Sequence, residues 1–85
     1  MKETRIIGIL IKDRIKEAGQ IQKILSNYAS IINSRMGFHE LSVEVCSRKG
    51  IILLHLGGDE TKWDKFENEL LAIGGIEVQK MSFNK

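Results

Sequence analysis

Between Thr4 and Lys12 the chain reads TRIIGILIK, which places Ile7, Ile9 and Ile11 on one side of an extended strand and Ile6, Gly8 and Leu10 on the other. A β-branched run that is apolar on both sides predicts a strand covered on both faces. The period then changes. Asp13 stands where a helix cap belongs, Glu17 falls in the first turn, and Ile21, Ile24, Leu25 and Tyr28 recur at three- and four-residue spacing. These features predict a helix from about Arg14 to Asn27 with one apolar stripe. Gly19 inside it costs ~1 kcal/mol relative to alanine but leaves the stripe unbroken.

From Ser30 to Cys46 the pattern is extended and interrupted. Ile32, Met36 and Phe38 form one alternating set, Leu41, Val43 and Val45 another, and the break lies near Gly37. This predicts a second strand with a bulge or bend, followed by a hairpin turn through Ser47-Arg48-Lys49-Gly50. Gly50 to Gly58, GIILLHLGG, is a third strand, with Ile52, Leu54 and Leu56 opposite Ile51, Leu53 and His55. Asp59 and Glu60 suit a helix N-terminus, Trp63, Phe66, Leu70 and Ile73 share a helical face, and Gly74-Gly75 ends it. Ile76 to Phe83 alternates as a more exposed strand.

The order β-α-β-β-α-β over residues 1–85 predicts a single domain of α+β class. It would be a ferredoxin-like sandwich, a four-stranded antiparallel sheet with two helices on one face and the first and third strands in the middle. Both central strands are apolar on each side, so the face without helices must also carry apolar residues. Ile7, Ile9, Ile51 and Leu53 are the residues expected there, and an open apolar sheet is expected to be covered by another subunit. A homodimer or homotetramer follows as the expected state.

Composition narrows the options without naming one. Eighty-five residues bury only ~60 to 65% of the unfolded surface on folding, which leaves little room for a deep catalytic cleft. Apolar residues make up 42% and charged residues 28% of the chain, so a packed core is expected. The net charge of +2 comes from 13 basic residues interspersed with 11 acidic ones, weak support for a nucleic-acid partner. Cys46 is the only cysteine, which excludes an internal disulfide and a multi-thiolate zinc site within one chain. No apolar run nears the ~20 residues needed to span a bilayer, and Met1-Lys2-Glu3-Thr4-Arg5 leads directly into a strand. The expectation is a cytoplasmic protein with no membrane association.

Three groups of residues, Asn33-Ser34-Arg35-Met36-Gly37, then Gly50 to Leu54 with Gly58-Asp59-Glu60, and Ile73-Gly74-Gly75-Ile76-Glu77-Val78, together resemble a known family. It is that of the small iron-only hydrogenase system regulators, and the resemblance runs from about Arg5 to Phe83. The family looks like a stand-alone ACT-like domain, similar to the tetramer-forming C-terminal half of nickel-responsive repressors. The resemblance implies a transcription-associated or metabolic sensor with a small effector at a subunit interface. By the same likeness Asp13 and Arg14, after the first strand, and Arg35, Met36 and Gly37 are the candidate effector-binding residues. Where many ACT domains carry glycine after the Asp-Arg pair, this chain has Ile15-Lys16.

His39, Cys46 and His55 are the candidate metal ligands. Nickel repressors use two histidines separated by one residue and a cysteine six residues later. Here His39 alone precedes Cys46, seven residues away, so a metal would need ligands from more than one subunit. No cofactor is expected otherwise. Gly57-Gly58-Asp59 resembles a phosphate-cradling turn but lacks the Lys-Ser/Thr of a P-loop and places a carboxylate where phosphate would sit. Trp63 and Phe66, at helical spacing with Leu70, are core residues rather than a binding box.

Function therefore divides between a ligand-sensing regulatory oligomer, a nucleic-acid-binding module of the same topology, a nickel or other transition-metal sensor, and an enzyme. RNA-recognition folds stack bases on sheet aromatics, and the central strands here have none. An acylphosphatase would need a glycine-rich cradle around Arg14, which is missing, and no Ser/His/Asp or Cys/His arrangement is recognisable. No catalytic residue is expected. No helix-turn-helix remains once the elements are assigned, so action through an effector or a partner protein is expected rather than direct DNA reading.

Overall fold

The computed structural model describes residues 3–41 and 46–84. Strand β1 (Thr4–Ile11) leads to helix α1 (Arg14–Asn27), a short 3₁₀ turn at Ala29–Ile31, and strands β2 (Ile32–Leu41) and β3 (Cys46–Leu56). A second 3₁₀ turn (Glu60–Lys62) opens helix α2 (Trp63–Leu71), and β4 (Ile76–Phe83) closes the domain. The sheet order is β2-β3-β1-β4 with every neighbouring pair antiparallel. This is the ferredoxin-like α+β arrangement, with β1 and β3 in the centre.

Local chemistry explains the element ends. The Asp13 carboxylate accepts from the Lys16 backbone N–H at 3.3 Å, the capping contact that starts α1. Asp59 does the same for Thr61 at 3.0 Å and begins the turn into α2. Gly75, at φ 82°, reverses the chain into β4, and a β-carbon there would come within 3.0 Å of the buried Glu17 carboxylate. The left-handed backbone angle is what favours glycine there, and a β-carbon would in addition push the Glu17 carboxylate aside.

The core lies between the helices and one face of the sheet. Ile7, Ile9, Ile11, Leu54 and Leu56 of the central strands meet Ile21, Leu25 and Tyr28 of α1 and Trp63, Phe66 and Leu70 of α2, all buried. The Tyr28 and Phe66 rings meet at 5.1 Å between centroids and a tilt of 50°, a favourable aromatic geometry.

Three expectations change. The first is the face of β1. Cross-strand partners point to the same side of a sheet, and Ile7 faces Leu54 while Ile9 faces Ile52. Ile7 and Ile9 are therefore in the core, 0% and 1% exposed, and do not share a face with Ile51 and Leu53. The second is the turn between β2 and β3. Ser47, Arg48, Lys49 and Gly50 belong to β3, and Leu41 already pairs with Cys46, so these four residues are strand and not turn. Val43 and Val45 lie outside the described residues. The third is the irregularity of β2. Pairing passes unbroken through Gly37, opposite Ile52, and the register shifts instead between Ile32 and Ser34 and between His39 and Leu41. Glycine tolerated in a regular strand mimics, in sequence, the gap that a bulge leaves.

Candidate functional site

The open face of the sheet is built by strict alternation. On β1 it takes Ile6, Gly8 and Leu10, and on β3 it takes their partners His55, Leu53 and Ile51. Across the next ladders these rows continue to Met36 on β2 and to Met81 and Phe83 on β4. Ile51 is 44% exposed, Leu53 38%, Met36 58%, Met81 53% and Phe83 51%. Five large apolar side chains on one face exceed what scattered surface residues account for, and such a patch marks an interaction surface. Gly8 lies in its middle and leaves open the space where a β-carbon would touch the Leu53 side chain at 3.6 Å.

Met36, Met81 and Phe83 were not singled out as interface residues. Their signal was present in the period of two, but only the register Thr4↔Phe83, Ile6↔Met81 and Leu53↔Met36 shows that they join one surface.

The candidate effector residues do not converge within one chain. Asp13 and Arg14 begin α1, whereas the Arg35 guanidinium reaches Gln22 in the middle of that helix, donating at 3.4 Å. Asp13 and Gln22 are nine positions apart in the sequence, which is roughly 13 Å along a helix at ~1.5 Å per residue. Arg35 and Met36 also point to opposite sheet faces, since Arg35 pairs with buried Leu54 and Met36 with exposed Leu53. Arg35 instead helps to line a shallow cleft of about 320 Å³ with Ser26, Asn33 and Ser34, where the end of α1 meets the start of β2. A planar guanidinium beside hydroxyl and amide groups suits a small carboxylate.

Of the candidate metal ligands, His55 stands apart from the other two. His39 pairs with Gly50, Cys46 with Leu41, and His55 with Ser34 and Ile6. His55 is thus five strand positions from the His39–Gly50 pair, roughly 17 Å at ~3.3 Å per residue. Among the described residues no group of three His, Cys, Asp or Glu side chains could hold a metal ion.

A charged cluster on the helix side was not foreseen. Arg5 donates through Nε and Nη2 to both Glu3 carboxylate oxygens, at 2.8 and 3.0 Å, and through Nη1 to Asp64 at 3.3 Å and to Glu67. Its guanidinium lies 5.1 Å from the Trp63 ring centroid, and the Trp63 indole N–H donates to the Gly57 carbonyl at 2.8 Å. The Glu3 carboxyl is held below its ordinary range by the hydrogen bond from Arg5 and then by that from Ser82. Hydrogen bonding to Glu3, then to Glu67, raises the Arg5 value further. Every donor of this cluster has a partner, so it joins the start of β1 to α2 and acts as a structural clamp. Its sequence signal was nil, because Arg5 and Glu67 are 62 residues apart.

The fold and the sheet face define a small α+β ferredoxin-like domain with an exposed apolar surface. The chain belongs to the TM1266-like family of iron-only hydrogenase system regulators, whose match spans residues 3–79. It is similar to the solved structure of uncharacterized protein TM1266 from Thermotoga maritima at TM-score 0.79 and 25% identity, over 98% of this chain and 100% of that one. The de novo designed protein Foldit4 has a similar fold at TM-score 0.56 and 19% identity, over 99% of each chain. No curated protein matches the chain.

Proposed function

We propose that this chain is a non-enzymatic regulatory module of the cytoplasm, ACT-like in its behaviour, that works as a homo-oligomer and senses a small effector where subunits meet. The observation that carries this reading is the apolar row Met36, Leu53 and Ile51, with Met81 and Phe83, on a sheet face that no helix covers. A second copy related by a two-fold axis presents the same row and removes both from water. Family membership supports a regulatory role. The separation of Asp13 and Arg14 from Arg35 along α1 supports an effector site completed by two chains, because one chain does not bring these groups together. Occupancy of such a site shifts the oligomer equilibrium by the difference in effector affinity between the assembled and free chains. A role in transcription would then run through a partner protein.

Size-exclusion chromatography with light scattering tests the assembly. At micromolar concentration the chain is expected to elute as a dimer or tetramer, and a stable monomer would sink the interface model. No helix among the described residues is long and apolar enough to cross a membrane.

A further inference from the structure

The two edges of this sheet are β2 and β4, and the β4 edge adjoins a cleft against α2. Lys12 N–H donates to the Gly75 carbonyl at 3.0 Å, and the β1–β4 register makes these two residues direct partners. Hydrogen-bonded and non-hydrogen-bonded pairs alternate along an antiparallel ladder. Gln79, paired with Gly8, and Met81, paired with Ile6, therefore bond to β1. Val78, Lys80 and Ser82 turn their backbone N–H and C=O groups outward. That row is a template for an added strand.

Beside it, α2 and β4 enclose a groove of about 550 Å³ lined by Asp64, Glu67, Asn68, Leu71, Val78 and Lys80. Asp64, Asn68 and Leu71 recur at helical spacing and so form one stripe along α2 above the strand. Leu71 is 61% exposed, the highest value among the described large apolar side chains. The charges around the groove do not balance. Among the described residues Glu3, Asp64 and Glu67 share Arg5 and Lys80, three carboxylates to two cations. The excess negative charge is accessible at Asp64, whose side chain is 86% exposed.

We propose that β4 and α2 form a docking groove for an extended peptide segment of a partner protein. The segment adds to the sheet beyond β4, taking the outward groups of Val78, Lys80 and Ser82 in main-chain hydrogen bonds. Apolar side chains at alternate positions enter between Leu71 and Val78, and a lysine or arginine faces Asp64. Only an extended backbone matches the row of donors and acceptors, which is the recognition mode of strand addition. The groove is separate from the apolar sheet face, so this inference stands whether or not that face pairs with a second copy.

A phage-displayed random dodecapeptide library selected against the folded chain provides the probe. Enriched peptides are expected to carry apolar residues at alternate positions and at least one basic residue. Synthetic copies are expected to bind at least tenfold more weakly to Leu71→Asp and to Lys80→Pro, which removes one outward N–H while leaving the ladder with β1. Copies N-methylated at alternate amides should lose tenfold or more on the parent chain, a readout that needs no variant to fold. Leu53→Asp should keep full affinity. No enrichment over an unrelated protein, equal binding to Leu71→Asp and parent, or amide shifts confined to β2 or the open sheet face would each overturn the proposal. So would concentration-dependent pairing of β4 with itself in the absence of peptide.

Discussion

Gly58 holds φ at 64°, and a β-carbon on it would lie 2.7 Å from the Ser30 carbonyl oxygen. A side chain there meets both a left-handed backbone, at roughly 1–2 kcal/mol, and a backbone atom that cannot swing aside. Gly58→Ala is expected to destabilise the fold by at least ~1 kcal/mol, measured by urea denaturation. Its neighbour Asp59 accepts from both the Thr61 backbone N–H and hydroxyl, at 3.0 and 2.6 Å, and these bonds hold its carboxyl below the ordinary value of 3.8. A lowered folded value means the cap stabilises above the unfolded pKa and is lost as pH falls through the folded one. Asp59→Ala should therefore lower the melting temperature at pH 7, and the difference from the parent should shrink as pH drops below 3.8. An undiminished difference in strong acid would refute the carboxylate's role. The Asp59 cap was legible in sequence because it acts within three residues. The Ser30 contact of Gly58 was not, because it crosses from β3's end to the turn before β2.

At the scale of elements, the two helices, β1 and β4 were readable from period alone, whereas β3 starts at Cys46, four residues before the expected Gly50. Helix α1 spans the expected Arg14–Asn27, and β4 the expected Ile76–Phe83. What period could not supply was parity across strands. Leu53 and Leu54 are adjacent and equally apolar, yet one is 38% exposed and the other 0%. Leu54→Asp is expected to unfold the domain, because burying an unpaired carboxylate costs several kcal/mol. Leu53→Asp should keep its far-UV circular dichroism and lose only association. If both variants folded equally well, the assignment of faces would be wrong. Ile7 and Ile9 join Leu54 in the core for the same reason, since the register places each of them opposite a helix-facing residue.

At the scale of the whole molecule, association and stability are linked. If the exposed face pairs with a second copy, the melting temperature of the parent should rise with protein concentration, as mass action requires when only the folded chain binds. The melting temperature of Leu53→Asp should not. A concentration-independent parent would count against an oligomer of folded chains. β-α-β-β-α-β order, the helix spans, the two-faced apolarity of β1 and β3 and the likeness to a regulator family were determined by the sequence itself, because alternation and helical spacing are local properties of the chain. Which apolar face became core, the reach of Arg35 to Gln22, the Arg5 clamp and the groove between α2 and β4 were decided only by the tertiary structure. Each depends on cross-strand register and on contacts between distant residues, and no short-range pattern encodes those.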